Sequence, residues 1–194
     1  MQPIGDRGGA VAFKGRFGGA AVACVRLTGG AEARDSAAAA RLAGVAAALR
    51  PLTHPHLVKV FGAAQVLAAD DAGCGLFLVT ALVGYRDLGR FASSSAAFTM
   101  PEFCRCAREL LKALVYLHGQ GFGHGAVRPS NVLVESNGAR TLRLAGFGPW
   151  TRKVGTEAAE AELLSAAAPF LAPELRSSGA TAADPRAADT FALA

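Results

Sequence analysis

No run of five or six basic residues occurs anywhere in this chain, although it carries 20 lysines and arginines against 15 aspartates and glutamates and a formal charge of +5. Nucleic-acid binding needs a clustered basic face with aromatic or motif support, so that class is set aside. Cysteine is scarce as well. Cys24, Cys74 and the Cys104-x-Cys106 pair lack the Cys-x-x-Cys spacing of a metal site and point to free thiols in a reducing compartment. The opening "MQPIGDRGGA" shows no charged-then-apolar leader, and no uninterrupted apolar stretch of about 18 residues is present to span a bilayer. These absences lead us to expect a cytoplasmic protein with neither a nucleic-acid nor a membrane partner.

What is present is apolar character, 52% of 194 residues, enough for one sizeable core or most of a two-lobed one. "VAFKGRFGGAAVACVRL", Val11 to Leu27, combines glycines with alternating apolar residues and predicts two or three antiparallel strands with a tight glycine hairpin. The alanine-rich stretch from Glu32 to Leu49, closed by Pro51, predicts a helix. "HPHLVKVFGAAQVL" and "CGLFLVTALV" predict two further strands around the turn "AADDAG".

The second half changes character. In "MPEFCRCARELLKALVYLHGQG", Phe103, Ala107, Leu110, Leu111, Leu114 and Leu117 recur at helical spacing, with Pro101 near the start and Gly119 and Gly121 near the end. "NVLVE" and "TLRLAGFG", joined by "SNGAR", predict a hairpin. The tail from Thr151 is expected to be loop and helix broken at Pro169, Pro173 and Pro185, with a last helix opening near Asp189.

In order, "HPHLVKVFG", "LFLVTALV", "LVYLHGQGFGHGAVRPSNVLV", "LRLAGFG", "FLAPE" and "AADTFALA" resemble six successive segments of the protein kinase family. His124-Gly125 also echoes the His-Gly-Asp loop of aminoglycoside-type phosphotransferases, but "FLAPE" followed by a helix-opening Asp resembles the protein kinases. The resemblance implies an α+β, two-lobed protein kinase-like fold. Residues 1–10 would be a flexible lead-in, 11–83 a small antiparallel β-sheet lobe with one helix, and 84–194 a mainly α-helical lobe that is incomplete. Without further helices, Leu110, Leu114 and Leu117 are expected to be partly uncovered, and the chain marginally stable.

Phosphoryl transfer in that family rests on a strand Lys paired with a helix Glu, two side chains on magnesium, and a loop Asp that orients the hydroxyl. The resemblance puts Gly15 and Gly18 in the degenerate glycine-rich loop, with Ala20 at the position of its valine. It puts Arg26 at the lysine, Gly44 or Val45 at the glutamate, Thr80 at the gatekeeper position, and Leu133 with Ala20 and Thr80 around adenine. His-Arg-Asp reads His124-Gly125-Ala126, Arg128 stands for the family's Lys, and Asn131, a metal ligand in the family, is kept. Asp-Phe-Gly reads Gly146-Phe147-Gly148. Residues with packing roles persist (His124, Phe147, Gly148, Pro173, Glu174, Asp189) and the acids at 126 and 146 are gone.

Alanine can neither accept a proton nor orient a hydroxyl, and losing a positioned base removes about 10² to 10⁴ in rate. Magnesium is not expected to bind, and ATP, if it enters, should do so weakly through its adenine and ribose. The function implied is a pseudokinase, a regulatory or scaffolding module whose partners are other proteins, an active kinase or an effector. The alternatives are a weakly active protein kinase with unorthodox residues and a non-functional truncated kinase product.

Overall fold

The computed structural model describes residues 2–7, 10–67, 74–84, 86–93, 98–135, 140–148, 151–153, 170–175 and 184–194. They divide into two units, Met1–Thr53 with Val58–Tyr85 and His54–Leu57 with Arg86–Ala194. The predicted turns at 68–73 and 136–139, and Pro169, lie outside the described residues.

The first unit is an antiparallel five-stranded sheet in the order β1-β2-β3-β5-β4. Its strands are β1 (Gln2–Arg7), β2 (Ala10–Phe17), β3 (Ala20–Gly29), β4 (Val60–Val66) and β5 (Gly75–Ala81). Residues 2–7, expected as a flexible lead-in, are thus a strand paired along β2. Between β2 and β3 the turn is Gly18-Gly19, with φ of 55° and 82°, a left-handed pair that glycine adopts without steric cost and that matches strand twist.

Cross-strand partners share a face of a sheet, so the register sorts the side chains. Ala12, Val25 and Leu78 stand in one row and Lys14, Ala23 and Thr80 in the next on the same face; Val11, Arg26 and Phe77, then Phe13, Cys24 and Val79, occupy the other. Helix α1 (Ser36–Leu49) is capped by Asp35, whose carboxylate accepts from the Ala37 amide at 2.8 Å. It buries Leu42, Ala46 and Leu49. Its side of the sheet is marked by a shallow cleft of about 300 Å³ between Ala39, Leu42 and Ala43 of the helix and Ala63, Gln65 and Leu76 of the strands. By alternation this is the face of Val25, Leu78 and Thr80. The opposite face carries its own cluster of Val22, Cys24 and Phe77 with Phe13, Phe61, Val66 and Val79.

The second unit contains β6 (Arg86–Asp87), α2 (Leu88–Ala92), α3 (Met100–Gly119), β7 (Phe122–Gly123), β8 (Val132–Glu135), β9 (Thr141–Leu144), β10 (Arg152–Lys153) and α4 (Pro185–Leu193). β8 and β9 pair as the predicted hairpin, and β6 adds to the free edge of β8. His54–Leu57, read as part of the first lobe, joins this unit. Leu57 bridges to Leu144, and His56 Nδ1 donates to the Leu142 carbonyl at 3.1 Å.

α3 opens on a capping box: the Glu102 amide donates to Thr99 Oγ1, and the Thr99 amide donates back to the Glu102 carboxylate. Its buried residues are Cys106, Leu110, Ala113, Leu114 and Leu117. Leu110, Leu114 and Leu117, expected to be partly uncovered, are buried; Phe103 and Leu111, expected in the core stripe, are exposed. The apolar arc of this helix is wider than the face it packs. α4 begins at Pro185, four residues before Asp189. Proline at the first helical position has no amide to satisfy, and Asp184 caps it through the Arg186 amide at 2.9 Å. Among the described residues no helix is long and apolar enough to cross a membrane.

Candidate functional site

The loop between β7 and β8 is held from beneath by Asp189 of α4, which is 1% exposed. Its carboxylate accepts from the His124 amide at 2.7 Å, the Gly125 amide at 2.8 Å and His118 Nε2 at 2.9 Å. Charge-assisted bonds of this kind are the strong ones. His124 adds a second layer. Its Nε2 donates to the Ala145 carbonyl at 2.9 Å, and its Nδ1 accepts from the Ala126 amide at 3.2 Å. That pair of bonds requires the neutral ring, and burial pushes the His124 pKa below its ordinary 6.5, opposed in part by Asp189. The ring lies 5.0 Å from that of Phe147. Thr151 Oγ1 closes the frame, donating to the His124 carbonyl at 3.1 Å and accepting from the Gly148 amide at 3.3 Å.

The reacting side of the same loop is apolar. Ala126 is buried and offers only its carbonyl, which accepts from Asn131 Nδ2 at 2.8 Å. The Asn131 carbonyl in turn accepts from the Ala145 amide at 2.7 Å. Gly146 has φ 83°, and a Cβ built there would sit 2.3 Å from Asn131 Cγ, 2.5 Å from its Nδ2 and 2.6 Å from its Oδ1. Asn131 therefore fills the space into which a side chain at 146 would emerge. Phe170, Leu171 and Ala172 come up beside Ala126, leaving only about 20 Å³ between them and α4, roughly one water. Arg128 is half-buried, with its pKa lowered by desolvation. Pro173 and Glu174 are exposed in a short 3-10 turn, Pro173–Leu175.

In the first unit the structure redistributes the expected nucleotide residues. Arg26 faces away from α1, its guanidinium carbon 5.8 Å from the centre of the Phe13 ring, so it cannot meet a partner on that helix. Among the described residues it has no carboxylate within 4 Å. Reading the family's Val-Ala-Ile-Lys onto β3 by side-chain alternation gives Val22-Ala23-Cys24-Val25, with Val25 at the lysine and on the helix side. The expected helix position Val45 is half-buried beside Leu42, Ala46 and Leu49.

Gly15 is an interior residue of β2, where a Cβ would come 2.9 Å from Cys24 Sγ, and Gly18 belongs to the β2–β3 turn. Placing the pattern Gly-x-Gly-x-x-Gly-x-Val so that its valine falls on buried Ala12, beside Val25, gives Gly5, Arg7, Ala10 and Ala12, one glycine of three. Ala20 is exposed on the face opposite to Thr80, so the two do not share a slot; Thr80 and Leu133 are buried, each in its own unit. Alternation along β3 puts Val25 on the helix side and Arg26 on the other.

Magnesium does not fit the residues present. Hard divalent cations want carboxylate oxygen; position 146 has no side chain, position 126 has a methyl group, and Asn131, whose Nδ2 holds the loop backbone, offers a single neutral amide oxygen.

A sequence model of the protein kinase domain matches residues 21–194. The serine/threonine-protein kinase SBK2 of Rattus norvegicus is 32% identical over 123 residues, 63% of this chain and 32% of that protein. The serine/threonine-protein kinase mos of Patiria pectinifera is 30% identical over 146 residues, 75% of this chain and 40% of that protein. The chain thus spans about a third to two-fifths of the length of these relatives. The crystal structure of Rad53 1-466 in complex with AMP-PNP superposes with a TM-score of 0.66 at 20% identity, covering 97% of this chain and 43% of that one. By its sequence match, its sheet and its His124–Asp189 frame, the chain belongs to the protein kinase family.

Proposed function

We propose that this kinase-fold chain is a pseudokinase, which transfers no phosphate and acts by binding another protein, an active kinase or an effector controlled by docking. The observation that carries the reading is the filled acid position. Gly146 has no side chain, and a carboxylate introduced there would have to displace the side chain of Asn131, which stands where its Cβ would be.

The remaining charge positions support it. Arg26 lies on the face of β3 away from the helix, Gly44 or Val45 stands in the place of the helix glutamate, and alanine replaces the loop acid. These groups act on one transition state, and residues that act as a unit are strongly non-additive, so no single repair restores transfer.

Nucleotide binding with and without magnesium tests the reading on the purified chain. Affinity for ATP, read by thermal shift and calorimetry, should be weak and unchanged by the metal. Tightening of about tenfold or more on adding magnesium, about 1.4 kcal/mol, would show a working metal site and sink the proposal.

A further inference from the structure

Helix α1 lacks the acid through which a kinase helix is paired to a strand lysine and so to the phosphates. Ser36–Leu49 contains one charged side chain, Arg41, and the acid before it, Asp35, is used as the cap. Apolar packing holds it on one side only. Leu42, Ala46 and Leu49 are its buried residues, and a cleft of about 300 Å³ opens between its first half and the strands β4 and β5.

Both ends of the helix are tied to β4 by polar groups, and all the residues involved belong to the first unit. Lys59, just before that strand, donates from Nζ to the Arg50 carbonyl at 2.6 Å, the Leu52 carbonyl at 3.0 Å and Thr53 Oγ1 at 3.0 Å. An ammonium has three protons, so all are used. Two of them go to carbonyls at and just past the helix end, where the helix dipole favours a cation. The backbone of Lys59 is itself fixed, because its carbonyl accepts from the Ala81 amide at 2.8 Å.

At the other end, Gln65 of β4 donates from Nε2 to the Ala33 carbonyl at 2.8 Å, in the 3-10 turn Gly30–Arg34 that leads into α1. Ala33 is fully buried. A carbonyl left there without a donor destabilises the turn, so this tie is also required by the fold.

We infer that Lys59 and Gln65 lock α1 in place without nucleotide, a conformational device that stands in for the pair of strand lysine and helix glutamate. The family's pair couples the helix to phosphates, whereas these ties run only to backbone carbonyls and a hydroxyl of the same unit. A ligand shifts a conformational equilibrium only through interactions that differ between the states, and α1 has no acid with which a phosphate-bound lysine could draw it in. The inference rests on the preceding reading and adds how the helix is regulated: its position does not answer to ATP.

The test is hydrogen exchange of the 194-residue chain, read by mass spectrometry on peptides covering α1, with β2, β3 and α3 as internal controls. In the unmodified chain α1 should be protected without ligand, and ATP with magnesium should change its exchange by less than about twofold. Lys59→Met should speed exchange in the last turns of α1 at least about tenfold, and Gln65→Leu in its first half at least about threefold, with the controls unchanged. Should Lys59→Met release β2 and β3 as well, Gln65→Leu decides, since that side chain is exposed.

Exchange of α1 that neither variant alters overturns the inference, and so does ATP that slows α1 exchange about tenfold or more in the unmodified chain. Failure of the preceding reading looks different. ATP binding that tightens with magnesium while α1 exchange stays the same would overturn only that reading and leave the lock in place.

Discussion

Asp189 and Gly146 serve two sides of one loop, and they have had opposite fates. On the holding side, Asp189, His118, His124 and Thr151 keep a closed set of hydrogen bonds to loop backbone. On the reacting side, alanine, glycine and the neutral amide of Asn131 leave no acid. Burial accounts for the difference. A buried amide without a partner destabilises the fold itself, so the holding residues are required whether or not the chain catalyses anything. A catalytic carboxylate contributes to the transition state and not to the fold, and can be lost without unfolding the chain.

The sharpest way to break that contrast is to attack the holding side. Asp189→Ala removes the acceptor of the buried His124 amide, of the half-buried Gly125 amide and of His118, and should destabilise by about 3 to 5 kcal/mol, a large share of a typical domain's stability. Urea denaturation should show the cooperative transition weakened or gone. A loss below about 1 kcal/mol would mean that the clamp is not what holds the loop.

Gly146→Asp attacks the reacting side and should also destabilise, by about 2 kcal/mol, from its left-handed backbone and its overlap with Asn131. Asn131→Ala in the same chain should recover part of that cost, and the coupling can be read from a double-mutant cycle in urea. Neither variant should gain affinity for magnesium by calorimetry. Additive effects of the two changes would show that Asn131 does not block position 146.

Acid should loosen the holding side before the rest. The folded-state pKa of His124 lies below its ordinary 6.5 because the ring is buried, so below that value the unfolded chain binds the extra proton first. Stability is complete above about pH 6.5 and falls as pH drops, by up to about 1.4 kcal/mol per unit. His54, lowered by burial and by the charges of His56 and Lys112, acts in the same direction but is more exposed and weaker. Melting temperatures from pH 8 to 5, spanning about 1.5 units on each side of 6.5, check the sign; a chain more stable at pH 5.5 would contradict it.

The smallest effect separates Val25 from Arg26. If Val25 holds the lysine position, Val25→Lys with Val45→Glu should show favourable coupling of about 0.5 to 1 kcal/mol, whereas Arg26 with Val45→Glu should show none. Coupling through Arg26 instead would return that residue to the helix side.

The frame was legible in sequence because it is written in short fixed words: "GHGAVRPSN", "GFG" and "FLAPE" locate His124, Asn131, Phe147 and Pro173 without any geometry. The strand positions were not, since matching on charge selects Arg26 while alternation selects Val25. β1 is not legible in sequence because Pro3, Gly5 and Asp6 are poor strand formers, and pairing with β2 overrides propensity. On α3 the apolar arc is too broad for periodicity to choose its buried half, so Leu111 and Leu114 look alike in sequence and differ in the fold. The partners of Asp189 lie more than 60 residues before it in the chain and appear only once α4 is placed.

The central claim is that the loop is held but cannot react, and a transfer assay meets it most directly. The unmodified chain, incubated with radiolabelled ATP, magnesium and a general protein substrate, should transfer no label above background at any magnesium concentration. Magnesium-dependent transfer that disappears in Asn131→Ala would contradict the account, because it would require a working metal site beside Gly146.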